Sequence, residues 1–189
     1  MEIIKIFYDL ETTGTNPYKH SIHQIVGIIE IGGVVYQKFN IKTRPHPKAQ
    51  IDEKALRIAG VTLEQVRAYQ PMAEAFKNLM QILSFYIDPS DKQTRAYLVG
   101  FNNASFDDEF LRAWFRQNGS EAFPAYFWFG SFDVAVFASH YLADKRPFMP
   151  SFKLHRVAKT LGVQVDKSRL HEAGYDVELT RKIYQIVCR

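Results

Sequence analysis

The stretch Gln24 to Ile31 is almost wholly apolar or β-branched, runs into Gly32-Gly33, and is followed from Val34 to Thr43 by a second strand-like stretch. Two glycines supply the positive φ angles that a two-residue hairpin turn needs, so these strands must pair antiparallel. Upstream, Ile3, Ile4, Ile6 and Phe7 predict a first strand, and Arg44-Pro45-His46-Pro47 stops the third. The first half of the chain is therefore read as three antiparallel neighbours, with a polar loop from Thr15 to His23 between the first two.

The pattern then changes from period two to a helical period. Asp52 to Ala59 and Thr62 to Tyr69 predict two short helices, the second with a Thr62–Gln65 capping box, and Pro71 opens a longer one through Ile87. After the polar break Asp88 to Thr94, Ala96 to Phe101 reads as a buried strand running straight into a helix, Ser105 to Asn118, closed by Gly119. Phe127 to Phe132 is read as a short strand, and Asp133 to Leu142, Ser151 to Leu161 and Gly174 to Val187 as helices. Antiparallel strands followed by strand–helix alternation indicate an α/β fold on a mixed sheet.

With 189 residues, 47% of them hydrophobic, a single domain over residues 1–189 is expected. The lone Cys188 leaves no intrachain disulfide, the N-terminus lacks a signal-peptide layout, and no apolar run reaches membrane-spanning length, so a soluble cytoplasmic protein is expected. The net charge is +4, yet the chemistry-bearing motifs are acidic, a combination that suits an anionic substrate held by cations.

Three segments carry that chemistry. In Phe7-Tyr8-Asp9-Leu10-Glu11-Thr12-Thr13-Gly14, Asp9 and Glu11 lie two apart on a strand, on one face and about 6 to 7 Å from each other, so both could serve a pair of divalent cations. A strand end with one charged face is the plainer alternative. In Asn103-Ala104-Ser105-Phe106-Asp107, at a strand-to-helix junction where ligands commonly bind, Ser105 is read as the N-cap. Asp107 and Asp108 then fall at N2 and N3, where acids suit the helix dipole. That suffices for Asp108 and Glu109, whereas Asp107 is read as a third metal carboxylate, with Asn103 steadying the loop and Phe106 buried or facing substrate. In His171-Glu172-Ala173-Gly174-Tyr175-Asp176, five helical residues would turn about 140° away from a common face. His171 is thus expected on a loop, free to deprotonate a water, with Asp176 fixed on the first helical turn. Taken singly, a solvent-facing imidazole and a helix-start acid explain these two.

In order and spacing, Asp9-x-Glu11, Asn103-x-x-Phe106-Asp107 and His171-x-Ala173-x-x-Asp176 together resemble the DEDDh branch of the DnaQ-like 3′→5′ exonucleases. The likeness extends through Thr12-Thr13-Gly14, Ile28 to Gly32, Asn40 to Pro45, and Lys153-Leu154 to Leu161-Gly162. It implies a ribonuclease H-like fold with a mixed five-stranded sheet and a cofactor of two divalent ions, Mg²⁺ or Mn²⁺. Asp9 would bridge both ions, Glu11 and Asp176 would hold the one beside the nucleophile, Asp107 would support the second, and His171 would act as general base. Leu10, Thr12, Thr13, Asn103 and Phe106 would meet the substrate. The implied reaction releases nucleoside 5′-monophosphates from single-stranded or frayed DNA 3′ ends, in proofreading or repair. Asn102 departs from the pattern, since many relatives carry histidine there. Only thirteen residues follow Asp176, so attachment to a DNA polymerase through a C-terminal tail is not expected.

Two other readings stay open at this point: an RNA-trimming exoribonuclease, and a catalytically silent module that binds nucleic acid or polymerase. From Lys145 to Arg169 there are seven basic residues against Asp166 alone, read as a contact for phosphates or as a solvated helix face. The aromatic run Phe123, Tyr126, Phe127, Trp128, Phe129 and Phe132 is read as core, with base stacking as the alternative.

Overall fold

The computed structural model describes residues 2–170 and 172–188. Its centre is a five-stranded sheet in the order β3-β2-β1-β4-β5, with β1 Ile4–Thr12, β2 Ile22–Ile31, β3 Val34–Lys42, β4 Tyr97–Gly100 and β5 Phe132–Asp133. β1 pairs antiparallel with β2 and parallel with β4, and β5 extends β4 in parallel. The hairpin forms as expected: Gly32 and Gly33 take φ of 58° and 88°, a conformation that side chains other than glycine's rarely adopt.

Because alternate residues of a strand face opposite sides, β1 divides the molecule. Ile4, Ile6, Tyr8 and Leu10 face a core shared with α3 (Met72–Ser84) and α4 (Asp107–Gln117), built on Leu79, Leu83, Phe110 and Trp114. Phe7 faces the other core with Val26, Ile28 and Val99, covered by α6 (Val134–Tyr141), α7 (Leu154–Thr160) and α8 (Ala173–Val187). Asp9 and Glu11 continue the Phe7 face beyond the end of that apolar layer. The smaller helices α1 (Glu53–Ile58), α2 (Leu63–Ala68) and α5 (Phe123–Tyr126) complete the helical complement among the described residues, and the Thr62–Gln65 capping box is present.

A charged brace ties α8 to the sheet. Glu30, 2% exposed, accepts from Lys5 of β1 at 2.8 Å and from Arg181 of α8 at 2.7 Å. The acid that interrupts the apolar β2 run is thereby matched by two cations, the condition under which a buried carboxylate is tolerated.

Several expected boundaries move. β2 begins at Ile22, inside the stretch read as loop, and α7 begins at Leu154 rather than Ser151, because Phe152 packs into the second core and Lys153 is extended with ψ of 150°. The strand expected over Phe127 to Phe132 shrinks to β5 and a separate Ala96–Phe127 bridge. Phe123, Tyr126 and Phe127 are core, as read, whereas Phe129 is exposed. Ser105 does not cap α4: Phe106 is the N-cap, so Asp107 and Asp108 move to N1 and N2. The reason is local, since the Asn103 carbonyl accepts from the backbone N–H groups of both Phe106 and Asp108 at 3.1 Å and sets the start of the helix itself.

Candidate active site

The C-terminal end of β1 is where the three motifs are to be compared. Asp9 stands opposite Val26 and Glu11 opposite Gln24 in the antiparallel register, and the pairing slips by one residue between Glu11 and Thr12. Such an irregularity bends the strand beside the two acids, a position where bulges commonly re-aim side chains. Asp107 arrives from the N-terminus of α4, and Asp176 from the first turn of α8, which packs along β1.

These acids lie within electrostatic reach of one another. Burial pushes the Asp9 carboxyl well above the usual carboxylate range, and repulsion from Asp107, Glu11 and Asp176 adds to it. Glu11 is pushed up to about 7 by burial and then by Asp176. Asp107 is pushed up to about 8 by burial and then by Asp108, its immediate neighbour. The Leu10 backbone N–H favours the ionised forms of both Asp9 and Asp107, linking β1 to α4 and offsetting part of this repulsion. Among the described residues, no three Asp, Glu, His or Cys side chains stand close enough to enclose an ion as they are. Four mutually repelling carboxylates are nonetheless an all-oxygen donor set of the kind that hard divalent cations such as Mg²⁺ or Mn²⁺ prefer. By donor chemistry the residues fit such ions.

Beside the acids lies a buried network. Asp108 accepts from the Tyr8 hydroxyl and, at 3.0 Å, from Asn103 Nδ2. Tyr8, on the opposite face of β1 from Asp9, thereby connects the central strand to the residue next to Asp107. Asn103 is completely buried, and its approach is allowed by Gly100, where an added Cβ would lie 2.6 Å from the Asn103 Cβ. Sequence reasoning had treated Asp108 as a helix-start acid. Its burial and its Tyr8 partner show it to be the anchor of the motif-two loop. Asn102, with φ of 61°, adopts the left-handed conformation that asparagine tolerates better than most residues, and its N–H donates to Asp133 Oδ1 at 2.9 Å. The same Asp133 oxygen caps α6 through Ala135 N, so Asp133 ties the motif-two loop to the start of that helix.

The remaining expected site residues are placed as follows. The Leu10 side chain is in the first core. The Thr12 hydroxyl donates to the Gly14 carbonyl at 2.7 Å and that of Thr13 to the Gln50 carbonyl at 2.8 Å, so both side chains are turned inward and brace the turn after β1. Phe106 is half-buried against Phe110. His171 lies outside the described residues.

A cleft of about 560 Å³ opens beside the acids, with Asp176 on its wall and Phe101, Asn102, Arg146, Phe152 and Lys153 around it. The strand order and the helices on both faces are those of a ribonuclease H-like domain, the class that the architecture defines. Within that class the chain belongs to the exonuclease family, whose pattern, described as Exonuclease, matches residues 6–184 and bears out the DnaQ-like resemblance of the motifs.

Among curated proteins it is 26% identical over 181 residues to a DNA polymerase III PolC-type of Mycoplasmopsis pulmonis, a match covering 95% of this chain and 11% of that one. It is 31% identical over 116 residues to a DNA polymerase III PolC-type of Thermotoga maritima, covering 59% and 7%. The zinc-bound form of the E. coli ExoI–ssDNA complex shares its fold at a TM-score of 0.76 and 24% identity, over 99% of this chain and 40% of that one. The chain thus spans about a tenth of these curated relatives and two-fifths of that structure.

Proposed function

We propose that the chain is a metal-dependent 3′→5′ exonuclease that removes nucleoside 5′-monophosphates from the 3′ end of single-stranded or frayed DNA. The observation that carries this reading is the convergence of Asp9, Glu11, Asp107 and Asp176, from three distant segments, on the end of one strand, where burial and mutual repulsion raise the affinity of Asp9, Glu11 and Asp107 for protons or cations. Family membership supports the reaction class, and the ssDNA in the ExoI complex and the polymerase names of the relatives support DNA and a proofreading or repair setting.

In this mechanism Asp9, Glu11, Asp107 and Asp176 would together hold divalent cations, Mg²⁺ or Mn²⁺, with Glu11 and Asp176 on the side of the attacking water and Asp107 on the other. When bound, the ions lower the pKa of the attacking water and neutralise the charge that builds on the phosphate and the leaving 3′ oxygen. The Leu10 N–H, which favours the ionised forms of Asp9 and Asp107, would keep both ready to take up a cation. His171 takes the proton from the attacking water, a task suited to an imidazole titrating near neutrality.

The test is a 5′-labelled oligodeoxynucleotide and its RNA counterpart, each incubated with the protein and Mg²⁺ or Mn²⁺. A descending ladder and free mononucleotides are expected on DNA. Excess chelator or Asp9→Asn should reduce the ladder to background, and His171→Ala should cost about 10² to 10⁴ in turnover. Undiminished cleavage in chelator would contradict the mechanism, and RNA degraded in preference to DNA would reassign the substrate.

A further inference from the structure

Beyond the cleft that holds Asp176 lies a second hollow of about 680 Å³, and His155 and Leu170 line both. The two therefore adjoin along the α7 side of the molecule, the first beginning at Asp176. Their walls differ in character. The first carries two aromatic rings, Phe101 and Phe152, with centroids 6.5 Å apart and planes inclined by 32°. The Arg146 guanidinium lies 3.7 Å from the centre of the Phe152 ring. The second is lined by Arg156, Lys159 and Lys167 with Gln164, and by no acid among the described residues. Arg156, Lys159 and Lys167 are exposed. Arg169, counted with them in the sequence, is instead paired with Glu172 at 3.1 Å and packed over Tyr175, so the cationic stretch resolves into a free group facing the hollow and a spent one beside it.

Rings next to a phosphate-cleaving centre, followed by an acid-free row of cations, match the alternation of base and phosphate in a single strand. Aromatic faces accept bases of any sequence, and neighbouring cations track the backbone. We propose that these adjoining hollows carry the single strand upstream of the scissile bond, with bases against Phe101 and Phe152 and more distant phosphates on Arg156, Lys159 and Lys167. This assignment rests on the exonuclease reading. It gives the enzyme a grip on its substrate several nucleotides away from the reacting 3′ end, and makes affinity depend on strand length.

The experiment follows 5′-labelled (dT)15 and (dT)3 by fluorescence anisotropy in EDTA, where no turnover is expected, at increasing salt. Arg156→Gln with Lys159→Gln should weaken (dT)15 binding about tenfold at low salt and reduce the slope of log affinity against log salt by about 1.4, two charges at 0.7 each. The effect on (dT)3 should be smaller. Phe152→Ala should weaken both oligonucleotides. The control is Lys77→Gln with Arg116→Gln, two exposed cations on α3 and α4 across the sheet, expected to leave the slope unaltered. An unchanged slope in the first pair, or an equal loss in the control, would overturn the groove. Failure of the wild-type chain to shorten (dT)15 with Mg²⁺ or Mn²⁺ would overturn the nuclease reading instead, so the two failures are distinguishable.

Discussion

Asp9 combines two demands that pull in opposite directions. It is half-buried among like charges, which lowers the stability of the metal-free fold, and it is one of the residues proposed to hold the cations. Replacing it by asparagine at pH 8 removes a disfavoured charge while keeping the shape of the side chain. Asp9→Asn is therefore expected to raise unfolding stability in EDTA by about 1 to 3 kcal/mol, read from the urea midpoint, while turnover disappears. An asparagine variant less stable than the parent would show that Asp9 has a structural role instead. Asp9, Glu11, Asp107 and Asp176 could be picked out of the sequence by the order and spacing of three motifs that together resemble the DnaQ-like exonucleases, since each acid alone has a plainer explanation. Asp108 could not, since two adjacent acids at a helix start look alike until Tyr8, 100 positions away, is seen to hold one of them.

Among the elements, α8 is tied to the sheet through one buried carboxylate as well as through its apolar face. Glu30 joins it to β1 and β2, and Glu30→Ala would leave Lys5 and Arg181 with their charges under-compensated in a largely dry setting. A loss of about 3 kcal/mol is expected, with weakened turnover because α8 carries Asp176. Circular dichroism against denaturant checks the first and the ladder assay the second. A stability change under 1 kcal/mol would mean that water compensates both cations. The hairpin, the capping box and the closure of α4 at Gly119 were legible because turn and cap chemistry is written within a few neighbouring residues. The start of α4 was not, because a backbone carbonyl took the place that Ser105 was expected to fill. The cations of the groove were legible as a possible phosphate contact, but its rings were not, since Phe101 follows β4 while Arg146 and Phe152 lie much further on, in the α6–α7 connection.

Over the whole molecule, stability is set to respond to pH in two opposing ways. His23 is fully buried, and among the described residues neither ring nitrogen has a hydrogen-bond partner, so burial lowers it to about 4. Its folded value lies below the unfolded one, near 6.5. The unfolded chain therefore binds the proton first, and the contribution of neutral His23 is intact above pH 6.5 and lost as pH falls toward 4. Glu11 and Asp107 run the other way: raised to about 7 and 8, they make the metal-free fold less stable as pH rises through those values. The difference between the parent and His23→Gln cancels the carboxylates. It should shift in favour of the variant by about 2 to 3 kcal/mol between pH 7 and pH 4.5. A difference independent of pH would place a proton donor or acceptor beside that imidazole.

The chain order of the acidic cluster has a consequence for biosynthesis. Asp9 and Glu11 on β1 are synthesised before Asp107 on α4, and Asp176 on α8 follows them all. A nascent polypeptide therefore holds three of the four acids, unmatched by the fourth, until α8 has been made.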